Sequence, residues 1–157
     1  MHAQKGVLGF ENLPEYLAYV EKETGLKQDK FIVLSKEEYF AFGNDVVADK
    51  LYAFYGIVYN SNLVSASKLD IKSCVGQFLE LCKNSDKVDS WINIESKPYL
   101  KNISFNKGKK TVIFVYSADD KKGFNKYIKS IIEEVKDDSN FDYLLISADT
   151  PSIKSLR

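Results

Sequence analysis

The segment 111–149 constrains the fold more than any other part of the chain. It reads as an apolar strand, "TVIFVYS", then an amphipathic helix, then a second apolar strand, "FDYLLISAD". In the helix Phe124, Tyr127, Ile128, Ile131, Ile132 and Val135 recur at spacings of three and four, with Lys and Glu opposite. A strand, a crossover helix and another strand predict a right-handed βαβ unit with parallel strands.

Upstream, "NLPEYLAYVEKETG" carries Asn12 as helix cap, Pro14 in the first turn and Gly25 as stop, with Leu13, Tyr16, Leu17 and Val20 facing inward. "KFIVLS" reads as a short strand. Ser35 and Glu38 have capping-box spacing, which predicts a short helix ended by Gly43. "LYAFYGIVYN" is apolar on both alternating faces and reads as a central strand; its aromatic rings belong to a core before they belong to a base-stacking surface. "NSN" turns it into a second strand, "LVSASK". Asp70 opens a helix over "IKSCVGQFLELCKN", running to about residue 83. "SWINIES" and "YLKNISFN" read as strands, and "NKG" at 106–108 as a hairpin turn. The pattern predicts one α+β domain over residues 1–157: a mixed sheet of about five to seven strands with flanking helices, ending in the βαβ unit.

The chemistry available is narrow. Of 157 residues, 45% are hydrophobic and 28% charged, which is the balance of a folded domain. Lys and Arg number 22 and Asp and Glu 22, so no net charge draws the chain to nucleic acid. Arg157 is the only arginine, and without bidentate arginines sequence-specific nucleic-acid binding is not expected. No apolar run reaches the ~18 residues of a membrane span. The expected compartment is cytoplasmic, or extracytoplasmic if "MHAQ" is the remnant of a cleaved signal peptide. His2 is the sole histidine, which removes His-dependent triads and most zinc sites. No phosphate-cradling glycine loop occurs. Cys74 and Cys82 lie ~12 Å apart along one helix, too far for a disulfide, and fit its apolar stripe with Ile71, Val75, Phe78 and Leu81 as buried thiols.

What remains is the junction "SADDKKGF". With parallel strands side by side, Asp119, Asp120 and Asp149 gather at their carboxyl ends, the edge where open α/β sheets bind ligands. Three carboxylates there suit Mg²⁺, which takes a few oxygen ligands plus water. The competing reading is structural: Asp119 and Asp120 cap the helix, and Asp149 begins a turn before Pro151.

Two resemblances follow from element order. Residues 111–149 resemble the first βαβ of a thioredoxin-like protein. Where that family carries two cysteines separated by two residues, this chain reads Ala118, Asp119, Asp120, Lys121, Lys122, which implies a redox-inactive domain. Residues 11–24 and 51–137 resemble the helix, hairpin, helix, three-strand order of roadblock and longin-type domains. That resemblance implies an antiparallel five-stranded sheet and a non-catalytic adaptor that dimerises or scaffolds complexes. The leading expectation is therefore a protein-binding or adaptor module without a cofactor, more a binder than an enzyme. Inhibitor and immunity-type proteins fall in the same class, a homodimer is compatible with it, and exposed aromatics are its expected anchors. The alternatives are a metal-dependent enzyme or ligand site on the three aspartates, and the redox-inactive thioredoxin-like domain.

Overall fold

The structure, a computed structural model, describes residues 8–69 and 74–157. His2, and the expected helix start at Asp70 and Ile71, lie outside the described residues. The fold is α+β, with a mixed six-stranded sheet and four α-helices among the described residues.

Helix α1 (Leu13–Thr24) forms as the sequence dictates. Asn12 accepts from the Glu15 N–H at 2.9 Å. At the other end Gly25, at φ 74°, donates to the Glu21 carbonyl in a left-handed cap. Strand β1 is only Phe31–Ile32. Helix α2 (Lys36–Ala48) starts on a complete Ser35–Glu38 capping box but does not stop at Gly43. Gly43 sits inside the helix, and the chain leaves it only beyond Asp49, where Lys50 takes φ 53°.

Strands β2 (Phe54–Tyr59) and β3 (Asn62–Ser65) form the expected hairpin, with Asn60 and Ser61 at positive φ in its turn. Gly56 stands at a bulge facing β5, where a Cβ would lie 2.3 Å from the Val64 carbonyl oxygen. Helix α3 (Val75–Asn84) is shorter than expected. Cys74 precedes it exposed, not buried in its stripe; Cys82 is buried, and burial pushes its thiol up to about 12.

Of the two further strands expected, "SWINIES" yields only β4 (Ile92–Asn93) before a 3₁₀ turn. "YLKNISFN" forms turns instead of a strand. Its consecutive Tyr99 and Leu100 are both buried, which alternation along a strand does not allow on a one-sided edge. Gly108 takes φ 86° in the turn at 106–108, but that turn leads out of irregular chain and is not a hairpin. The strand of the roadblock and longin order that "YLKNISF" would supply is thus not formed.

The final unit is as expected: β5 (Lys110–Tyr116), α4 (Asn125–Val135) and β6 (Phe141–Ser147), with β5 and β6 paired in parallel over seven residues, Lys110↔Phe141 to Tyr116↔Ser147. The sheet order is β1-β6-β5-β2-β3-β4, parallel from β1 to β5 and antiparallel beyond. Both outermost strands are two residues long.

Successive β2 residues point to opposite faces. Phe54 stacks on Phe78 of α3 at 4.4 Å, whereas Tyr55 meets Phe42 of α2. One face thus carries α1, α3 and α4, and the other carries α2 and the 97–103 segment. Phe54, Tyr55, Ile57 and Val58 are all buried, so Phe54 and Tyr55 of "LYAFYGIVY" fill the core, while Tyr59 at the end of β2 is only partly buried. An isolated parallel bridge between Phe10 and Ile153 ties the start of the described chain to its end.

Candidate functional site

The parallel pairing of β5 and β6 places Ser117 and Ala118 beside Ser147, Ala148 and Asp149 at one edge. Asp149 is 6% exposed. Its carboxylate accepts from the Tyr16 hydroxyl at 2.5 Å and from the Ala118 N–H at 2.8 Å, with the Ser117 hydroxyl at 3.4 Å. The Tyr16 hydroxyl also meets Ser147 Oγ at 2.7 Å, and Ser147 Oγ accepts from the Asp149 N–H. α1, β6 and the β5–α4 loop are therefore joined through one carboxylate. Burial pushes the Asp149 carboxyl above its ordinary range, against the lowering effect of these donors. Burial likewise pushes the Tyr16 phenol far up, helped by Asp149.

The other two aspartates do local work. Asp120 accepts from the Asn125 N–H with both oxygens at 3.2 Å, capping the first turn of α4. Asp119 lies 3.6 Å from the Lys121 ammonium. All three occupy the edge the sequence indicated, but among the described residues no group of three or more His, Cys, Asp or Glu is arranged to hold a metal ion. Both oxygens of Asp149 face protein donors, which does not fit a Mg²⁺ ligand.

Beside this edge lies a cleft of about 350 Å³ between the end of α1 and α4. Glu23, Thr24 and Leu26 form one wall, Asn125, Ile128, Lys129 and Ile132 the other, and Tyr116 and Leu145 the floor. Sequence reasoning located the edge but not the cleft, because its walls come from segments ~100 residues apart.

A second polar cluster, unforeseen from sequence, lies on the opposite face. Tyr55 and Tyr99 share a hydroxyl–hydroxyl bond of 2.7 Å, and the Tyr99 hydroxyl donates to Asp45 of α2. Lys97 completes the cluster with a 2.9 Å ion pair to the same carboxylate oxygen. With Asp45 turned inward, Phe40 and Val47, 60% and 78% exposed, stand on the outer surface of α2 beside exposed Lys36, Glu37 and Asn44.

Among the described residues no helix is long and apolar enough to cross a membrane. The chain matches no protein-family model, no curated protein and no solved structure.

Proposed function

We propose that the chain is a non-catalytic protein-binding module, of the adaptor or scaffold kind, that presents the outer face of α2 to its partner. The observation that carries this reading is the exposure of Phe40 and Val47, seven residues apart on one helix face. Between them the only charge is Asp45, and it is held by Lys97 and Tyr99. Large apolar side chains bared on an uncharged stripe are what interface anchors look like, and aromatics lead them. The partner this face suits is a protein with an apolar socket for the Phe40 ring. A second copy of the chain is one such partner.

The test compares wild type with Phe40→Ala and Asp119→Ala. Affinity capture identifies a binder, and sedimentation of the purified chain reads self-association. A stoichiometric partner lost by at least tenfold in Phe40→Ala but retained by Asp119→Ala supports the reading. Equal capture by both variants, or a chain that binds nothing and stays monomeric, overturns it.

A second reading, a ligand site at the carboxyl ends of β5 and β6, is favoured by the cleft beside Asp149. In it Asp149 is a positioning residue: its bond to the Ala118 N–H fixes the loop that edges the cleft.

A further inference from the structure

We propose that the cleft between α1 and α4 binds a small organic cation with an apolar body, of the arylalkylamine class, seated on the Tyr116 hydroxyl with its ammonium toward Glu23. The inference rests on the ligand-site reading of this edge and is independent of the α2 surface.

Volume and lining set the size and body of the ligand. About 350 Å³ lies at the lower end of the range for small-molecule sites, and Leu26, Ile128, Ile132 and Leu145 supply apolar walls.

The open valence is at the floor. Tyr116 is 3% exposed, yet its hydroxyl makes no hydrogen bond to any described residue. The other deeply buried tyrosines, Tyr16, Tyr55 and Tyr99, all have hydroxyl partners. Lining the cleft and open to it, this hydroxyl has no partner among the described residues and so has capacity for a bound group.

The sign of charge follows from the neighbours. The ionised groups that act on the Tyr116 hydroxyl are Asp149, Glu23 and Asp120, all negative. The carboxyl end of α1 adds its partial negative charge on the same side. The lining as a whole carries three carboxylates, Glu23, Asp120 and Glu133, against two ammonium groups, Lys126 and Lys129. Lys126 holds its ammonium over the Tyr127 ring at 5.2 Å, and Lys129 forms no ion pair with another described residue. Asp120 is committed to the α4 cap and Glu133 to Lys136 at 3.0 Å, whereas Glu23 forms no ion pair with another described residue. An ammonium reaching Glu23 while accepted by the Tyr116 oxygen satisfies both groups, and an aryl ring fills the apolar walls.

The experiment titrates the whole chain with phenethylamine and, separately, with phenylacetate, which has a similar body and the opposite charge, followed by backbone amide shifts. Saturable binding of phenethylamine is expected, with shifts at Ala118, Asn125 and Leu26, and weaker or no binding of phenylacetate. Tyr116→Phe should weaken phenethylamine about tenfold while leaving the melting temperature in place, since the hydroxyl it removes bonds no described residue. Glu23→Gln should weaken it by a similar factor, and Phe40→Ala should not change it. Preference for phenylacetate would overturn the sign of the ligand while leaving a site at this edge. Binding of neither probe below about 10 mM would overturn both the inference and the ligand-site reading beneath it. Undiminished binding by Tyr116→Phe would also overturn the inference.

Discussion

The two faces of the sheet each hold a tyrosine hydroxyl against an aspartate, and the two pairs are built differently. Tyr16–Asp149 is enclosed, and among the described residues its partners are hydroxyls and a backbone N–H, with no cation. Tyr99–Asp45 is half open, the Asp45 side chain being 29% exposed, and Lys97 supplies the positive charge. A carboxylate taken from water needs a counter-charge or enough donors to replace its hydration. Asp149 has donors only among the described residues, and burial pushes its carboxyl up against their lowering effect. The enclosed pair fixes three elements at one edge of the sheet. The open one pins a helix whose other side stays bare.

The sharpest way to break this contrast is Asp149→Ala. It strands the Ala118 N–H and leaves the Tyr16 hydroxyl only Ser147 Oγ, and should cost about 2–3 kcal/mol in chemical denaturation. A loss under about 1 kcal/mol would mean that water replaces the carboxylate and the edge is not enclosed. Tyr16→Phe removes one donor from the same centre and should cost about 1–2 kcal/mol, read in the same assay. Tyr99→Phe should cost less, about 1 kcal/mol, because Asp45 keeps Lys97 and access to solvent. Lys97→Met should fall below about 1 kcal/mol, as exposed ion pairs do; a larger loss would show that Lys97, not Tyr99, holds α2 in place.

The smallest effect is a slope with pH. The Asp149 carboxyl titrates above its ordinary value of 3.8, so between the two values the folded chain holds a proton that the unfolded chain has released. Its contribution to stability is complete below the ordinary value and declines as pH rises through the raised one. The advantage of wild type over Asp149→Asn should therefore shrink as pH rises above the ordinary value of 3.8, measured by denaturation at each pH. An advantage that grew over that range would show that the donors outweigh burial.

The parts of the fold legible in sequence were those specified locally. Asn12, Pro14 and Gly25 bound α1, and the three-and-four spacing from Phe124 to Val135 defines α4. The apolar runs of β2, β5 and β6 announce strands, and that of β2, apolar on both alternating faces, one covered on both sides. Elements that depend on distant packing were misread. Gly43 carries a stop signal, but the capping box and the core contacts of Phe42 draw the helix past it. "YLKNISF" has strand-forming residues, yet Tyr99 is claimed by Asp45, 54 positions away. The candidate site shows the same division. That Asp119, Asp120 and Asp149 share an edge follows from the βαβ reading, but that Asp149 is spoken for by Tyr16, 133 residues upstream, has no local signature. Neither does the cleft whose floor is Tyr116.

The two-residue strands at each end of the sheet bear on how this chain can meet others. An outer strand of ordinary length offers a ladder of unpaired N–H and C=O groups that a foreign chain can extend. Here Phe31–Ile32 and Ile92–Asn93 leave room for one or two such bonds at either side. That brevity disfavours strand addition on β1 and β4 themselves and moves the longer open rim inward to β6, where residues 141–144 have no strand partner on the β1 side among the described residues.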